Sequence, residues 1–138
     1  THTGDKLTVD YHDGRDYVAD AVSEINHYLR DFRTDETYPI DLGLLDMLHD
    51  LKVMTGHNGT FEVISGYRSP KTNAGLRSKS NGVAKRSLHM QGRAIDIRLS
   101  GFDTKQLQKA AIKLAKGGVG YYQKSNFIHV DTGRVRRW

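Results

Sequence analysis

Cysteine is absent from this sequence of 138 residues, and its absence excludes several classes of site. Without a thiol, the chain cannot form cysteine-ligated zinc fingers, iron–sulfur clusters, disulfide scaffolds or a thiol nucleophile. The lack of cysteine suits both oxidising and reducing compartments, so it leaves the location open. A chain of this length buries roughly two thirds of its unfolded surface, and one hydrophobic core is therefore sufficient for folding without a disulfide or a structural metal.

Long apolar runs are also missing, and proline is scarce, with only 2 residues. Because a membrane-spanning helix needs about 18 or more apolar residues in succession, we expect none. The polar start, Thr1 to Asp5, is unlike a signal peptide, so the leader of an exported protein would not be part of this sequence. With no repeat or linker, we expect a single domain over residues 1–138, with an irregular N-terminal segment at 1–14.

Hydrophobic periodicity predicts three helices and four strands. Apolar residues at three- and four-residue intervals predict a first helix over residues 15–33. A second helix is predicted to follow the N-cap residue Asp41 and to end near Gly56, and a third to follow Asp103 and to end at Gly117. Alternating apolar residues predict strands at 61–66, 94–99, 119–122 and 127–131, of which the last two form a hairpin. This order predicts an α+β domain, with a mainly antiparallel sheet and about three helices packed on it.

The segment 69–88 is polar and basic, which predicts a long loop. No acidic residue occurs between Glu62 and Asp96, whereas the interval contains the basic residues Arg68, Lys71, Arg77, Lys79, Lys85, Arg86 and Arg93. Loops of this length in compact domains are often functional, although a solvated basic surface is the alternative interpretation. The net charge of +5 favours anionic partners.

Three residues have side chains suited to a zinc ion, namely His89, Asp96 and His129. Imidazole nitrogens and carboxylate oxygens are good zinc ligands, and three protein ligands leave the fourth tetrahedral position for water, as in catalytic sites. Their spacing is not that of a helical ligand pair, so we expect a loop and strands to bring them together. Packed or solvated roles are the alternative, and they are the interpretation for the remaining histidines, His2, His12, His27, His49 and His57.

Two motifs surround these three residues. Ser87 to Asp96 matches the pattern S-x-H-x-x-G-x-A-x-D, and Phe127 to Asp131 contains H-x-D. In these motifs the sequence resembles the zinc peptidases that are grouped with D-Ala-D-Ala carboxypeptidases, lysostaphin-type enzymes and hedgehog domains. It looks most like the murein endopeptidases of Gram-negative bacteria within that group. The resemblance covers nearly the whole chain, since residues 64–69, 82–85 and 117–133 also look like that family.

The resemblance implies an LAS/hedgehog-like zinc peptidase fold and one Zn²⁺ per chain, held by His89, Asp96 and His129. It further implies a periplasmic enzyme that hydrolyses amide cross-links between peptidoglycan stem peptides. The bond would join two diaminopimelates or D-Ala and diaminopimelate. The carboxylates of such stem peptides suit the basic segment. We expect a monomer that does not bind nucleic acid and does not span a membrane.

Asp131 is the candidate general base. Residues two apart on a strand point to the same face, so its carboxylate can approach a water molecule at the metal while His129 binds the ion. A carboxylate that orients a ligand histidine is the alternative role. Relatives of the carboxypeptidase type have a glutamate base at the position of Asn126, and hedgehog-like relatives have a histidine at the position of Phe127. This sequence lacks both residues.

Other candidates lie near the same motifs. Arg68 follows the first strand and is expected to stabilise the oxyanion, with an ordinary ion pair as the alternative. Ser87 is interpreted as a hydrogen-bonding residue rather than a nucleophile, because no base for it is evident. Ser87, Lys85 and Tyr122 are the candidate substrate contacts.

Two rival functions are open at this point. A non-catalytic, zinc-containing cell-wall binding module would share the three metal ligands with a peptidase. A nucleic-acid binder would share the positive charge, but the sequence has no helix-turn-helix motif, RNA-binding sheet signature or zinc knuckle.

Overall fold

A mixed β-sheet carries Asp96 and His129, two of the three metal-ligand candidates. The computed structural model describes residues 19–57, 59–79, 84 and 86–138. Within them the strands are β1 (Phe61–Ser65), β2 (Ala94–Leu99), β3 (Gly118–Tyr122), β4 (Phe127–Asp131) and β5 (Arg136–Arg137). Their order across the sheet is β1-β2-β4-β3-β5. All neighbouring strands are antiparallel except β3 and β5, which run parallel.

Four α-helices and one 3₁₀ turn accompany the sheet in the described part of the chain. They are α1 (Ala19–Tyr28), α2 (Leu42–Thr55), α3 (Pro70–Lys79), the 3₁₀ turn (Leu88–Gln91) and α4 (Thr104–Leu114). The α+β class is therefore confirmed, with one helix more than the sequence predicts. None of the helices that the structure describes has the length and apolar character needed to cross a membrane.

The two faces of the sheet have opposite chemistry, because successive side chains of a strand point to opposite sides. On one face, Ile97 of β2 and Ile128 of β4 are fully buried in the hydrophobic core, which also includes residues of α2 and α4. On the other face lie Asp96 of β2 and both His129 and Asp131 of β4. The alternation thus fixes which residues pack in the core and which are available for chemistry.

The second helix and the hairpin agree with the sequence prediction. Asp41 is the N-cap of α2 and accepts a hydrogen bond from the backbone N–H of Gly43 at 3.0 Å. Gly56 ends the helix in the left-handed conformation, with φ at 66°. Strands β3 and β4 form the predicted hairpin, with β3 beginning one residue earlier, at Gly118.

The prediction for residues 69–88 is wrong, because α3 occupies half of that segment. Ser69 accepts a hydrogen bond from the N–H of Thr72 at 3.2 Å, and Pro70 is the first helical residue. Both features are typical of helix starts. Hydrophobic periodicity does not reveal α3, because the apolar pattern of this helix is weak.

Helix boundaries also differ from the prediction. Residues 15–18 of the first predicted helix lie outside the described residues, as does the segment 1–14, and α1 ends at Tyr28 instead of residue 33. Asp31 accepts hydrogen bonds from the N–H groups of Arg33 and Thr34, and such local bonds compete with helix formation. The third predicted helix, α4, ends before Gly117, because Ala115 adopts the left-handed cap conformation.

Candidate metal centre and substrate cavity

Asp96 and His129 face each other across two central strands of the sheet. They are direct partners in the antiparallel register of β2 and β4. The Asp96 Oδ1 atom lies 3.0 Å from His129 Nδ1. Because cross-strand partners share a face and have close Cβ atoms, strand pairing alone is enough to bring these two side chains together.

His89 reaches the same point from the 3₁₀ turn. Ser87 caps the turn by accepting a hydrogen bond from the His89 N–H at 3.2 Å, and Gly92 ends it in the left-handed conformation, with φ at 65°. The His89 ring lies with Nδ1 2.8 Å from the carbonyl oxygen of Gly66. Since a carbonyl only accepts, Nδ1 carries the proton. The other nitrogen, Nε2, lies 3.2 Å from Asp96 Oδ1.

The three side chains therefore fit a metal ion. One ligand atom from each of His89, Asp96 and His129 lies within 4.8 Å of the other two. In each imidazole, one nitrogen faces Asp96 and the other contacts a different acceptor. For His89 this acceptor is the carbonyl oxygen of Gly66, and for His129 it is the carboxylate of Asp131. Metal-bound histidines are usually held in this way, by a carbonyl or a carboxylate on the far nitrogen.

The charge state of Asp96 suits a residue that binds a cation. Burial alone would raise the pKa of its carboxyl group, but in the metal-free site attraction by His89 and the hydrogen bonds shared with His129 and His89 outweigh this and hold the pKa well below its usual range. For His129, burial would lower the pKa, whereas its hydrogen bonds to Asp131 and Asp96 raise it. The Asp96 carboxyl group is thus ionised even though it is almost fully buried.

Asp131 has no exposed surface, and donors surround both of its oxygens. Oδ1 accepts from the N–H groups of Gly118 at 3.0 Å and Gly133 at 2.9 Å, and Oδ2 accepts from His129 Nε2 at 2.7 Å. Arg136 donates to both oxygens, at 3.0 and 2.9 Å. These bonds offset the effect of burial and lower the pKa of Asp131 well below its usual range. The geometry favours a role for Asp131 in orienting His129 over the role of general base.

Arg68 forms the ion pair that is one of the two roles expected for it, and it also lines the cavity. Its Nη2 donates to Asp96 Oδ2 at 3.2 Å, and its Nε donates to Ser65 Oγ at 3.2 Å. Its backbone N–H donates to the carbonyl oxygen of His89 at 3.1 Å, which joins the end of β1 to the 3₁₀ turn. The Arg68 side chain is 15% exposed and lines the cavity beside the three metal-ligand candidates, so it is also available to a ligand.

The candidate metal centre opens into a cavity with charged and aromatic walls. Besides the three metal-ligand candidates, its lining includes the basic residues Arg68, Arg86 and Arg136 and the aromatic residues Tyr122, Phe127 and Trp138. The candidate contacts Ser87 and Tyr122 also line it, although Ser87 is largely buried as the cap of the 3₁₀ turn. Lys85 lies outside the described residues.

Comparison with known proteins assigns this chain to a family. The family model described as peptidoglycan L,D-endopeptidase MepK matches residues 1–138. The chain belongs to this peptidase family. It is 43% identical to the peptidoglycan L,D-endopeptidase MepK of Escherichia coli strain K12, over 99% of this chain and 75% of that protein. It is 40% identical to the probable peptidoglycan L,D-endopeptidase MepK of Haemophilus influenzae, over 99% of this chain and 74% of that protein.

Membership in the MepK family confirms the resemblance inferred from the two motifs, and it makes the chain a peptidase, a class of hydrolase. The sequence motifs give no site role to Arg136. Arg136 belongs to a strand of only two residues, which is too short to produce a periodic pattern. For Trp138 the sequence leaves two interpretations, lining a cleft and ordinary packing, and packing is favoured because large aromatic side chains are mostly buried.

Proposed function

We propose that this chain is a zinc-dependent peptidoglycan endopeptidase of the Gram-negative periplasm that hydrolyses amide cross-links between stem peptides. The observation that carries the proposal is the convergence of His89, Asp96 and His129 in the lining of a cavity. The names of the family and of the relatives supply the substrate class.

The choice of cross-link follows from the stereochemistry in the relatives' names. An L,D-endopeptidase cleaves an amide between an L-centre and a D-centre. The link between two diaminopimelates is of this kind, whereas the link from D-Ala to diaminopimelate joins two D-centres. We therefore favour diaminopimelate–diaminopimelate cross-links over the alternative.

The metal and the protein have separate tasks in this reaction. A zinc ion, when bound, supplies Lewis-acid chemistry, which lowers the pKa of water and polarises a carbonyl group. Asp131 holds the His129 ring through Nε2 and leaves Nδ1 directed at the metal centre. Arg68 places a guanidinium group at the cavity wall, where it would stabilise negative charge that develops on the carbonyl oxygen of the substrate.

Digestion of purified sacculi tests the proposal. The zinc-loaded wild type is expected to release uncross-linked muropeptides at the expense of diaminopimelate-linked dimers, while the Asp96→Ala variant releases none. The matched control is Arg137→Ala, because this arginine is exposed and outside the cavity lining. Binding to sacculi without release would favour the rival function of a non-catalytic module. Release from D-Ala-linked dimers alone would contradict the choice of cross-link.

A further inference from the structure

Trp138 occupies an unusual position for a large aromatic residue, because half of it is exposed although it lines the cavity. Its backbone is fixed beside β3. The Trp138 N–H donates to the carbonyl oxygen of Val119 at 3.0 Å, and the Trp138 carbonyl accepts from the N–H of Tyr121 at 3.1 Å. The indole is therefore carried by a hydrogen-bonded backbone rather than by a free segment.

The indole lies directly on the backbone of Gly120. A Cβ atom at Gly120 would be only 2.5 Å from Trp138 Cε2, so a side chain at that position would displace the ring. Gly120 is the cross-strand partner of His129, and the Trp138 and His129 rings have centroids 5.1 Å apart at an angle of 47°. The glycine thus allows the indole to lie next to a metal-ligand candidate.

Two further contacts hold the indole in one orientation. Its Nε1–H donates to the Tyr122 hydroxyl at 3.0 Å, and Tyr122 is stacked on Phe127, with centroids 4.8 Å apart. On another side, the Arg136 guanidinium lies 5.1 Å from the centre of the Trp138 ring. All four side chains line the same cavity. A rigid, half-exposed tryptophan provides a large contact area at a low cost in conformational entropy, as in binding hot spots.

We propose that Trp138 is a specificity-determining residue whose exposed face binds an aliphatic part of the cross-linked stem peptide next to the scissile amide. Tyr122 and Arg136 position the indole for this contact. The inference rests on the proposed function and deepens it, since it identifies an apolar surface for the carbon chain of a substrate that is otherwise rich in carboxylates and amides.

Steady-state kinetics with a soluble, diaminopimelate-linked muropeptide dimer test the contact. For Trp138→Ala we expect KM to rise about tenfold, which corresponds to about 1.4 kcal/mol of lost binding. Trp138→Phe keeps much of the apolar surface and should raise KM less, while the control Arg137→Ala should match the wild type. Zinc content should be unchanged in all three variants. An unchanged KM in Trp138→Ala would overturn the proposal. A loss of both zinc and kcat in this variant would also overturn it, because it would show that the indole only supports His129.

Tryptophan fluorescence provides a second test that needs no substitution of Trp138, which is the single tryptophan of the chain. In the variant His89→Ala, which is expected not to hydrolyse the dimer, titration with the same dimer should give a saturable change in emission, and a disaccharide without a stem peptide should give none. If the wild type hydrolyses the dimer but emission does not respond, the contact is wrong and the proposed function stands. If the wild type does not hydrolyse the dimer, the proposed function fails, and the inference fails with it.

Discussion

Replacement of Asp131 by asparagine separates the two roles that this carboxylate could have. Asp131 accepts hydrogen bonds from Gly118, Gly133 and His129 and two from Arg136, and it has no exposed surface. An amide of the same size has one accepting oxygen, and its NH₂ group would face donors. The substitution also leaves the Arg136 guanidinium without its ionised partner.

The magnitude follows from these contacts. Removal of one partner of a buried ion pair costs about 3–5 kcal/mol. Because the Arg136 side chain is partly exposed and can be solvated, we expect the lower end, a loss of about 3 kcal/mol in the free energy of unfolding. If Asp131 orients His129, zinc affinity should also fall, by about 10–100-fold, as is usual when the carboxylate behind a ligand histidine is removed.

Denaturant unfolding of the metal-free protein and a competition titration with a zinc chelator measure the two effects. Asp50→Asn is a matched control, since Asp50 pairs with Lys116 on the surface and should contribute less than about 1 kcal/mol. Arg136→Gln removes the same ion pair while keeping the carboxylate, so it provides the comparison if Asp131→Asn does not fold. Near-wild-type stability and zinc affinity together with a collapse of kcat would refute the positioning role and show that Asp131 is the general base.

Three further substitutions probe other parts of the structure. Arg68→Lys cannot preserve both hydrogen bonds, to Asp96 and Ser65, and should lower kcat about 10²-fold with zinc content retained; an unchanged kcat would exclude oxyanion stabilisation by Arg68. Gly120→Ala should displace the indole of the only tryptophan, seen as an altered emission spectrum and a raised KM, and an unchanged spectrum would contradict the close approach. Burial would raise the pKa of Asp31, but hydrogen bonds from Thr72, Ser69 and Arg33 lower it below its ordinary 3.8. The ionised Asp31 carboxylate therefore stabilises the fold above pH 3.8. This stabilisation is lost as the pH falls through the lower pKa of the folded state. Asp31→Asn should therefore be less stable than the wild type at pH 7 and should lose less of its stability on acidification, and parallel stability curves from pH 7 to 2 would contradict this.

Sequence periodicity predicts the elements that bury an apolar face, and it fails for those that do not. The helix α2 and the strands β2 and β4 have regular apolar positions, and their predicted bounds agree closely with the structure. The helix α3 and the strand β5 have few or no buried apolar residues, and each depends on contacts that a linear pattern does not contain. Ser69 followed by Pro70 was the available signal for the start of α3.

The candidate site shows the same division. The motifs around His89 and His129 identify the three metal-ligand candidates, because these residues are defined by their chemistry and their local neighbours. The contacts that hold these residues, such as the one between Arg136 and Asp131, depend on strand pairing. Arg136 contacts Asp131 from β5, which pairs with the edge of β3, and no local pattern in the sequence indicates this parallel pairing.

The zinc content of the purified protein tests the central claim most directly. After dialysis against a weak chelator, the wild type should retain close to one zinc ion per chain, and His89→Ala, Asp96→Ala and His129→Ala should each retain little while remaining folded. A wild type without zinc, or alanine variants that keep it, would contradict a metal centre built from these three residues.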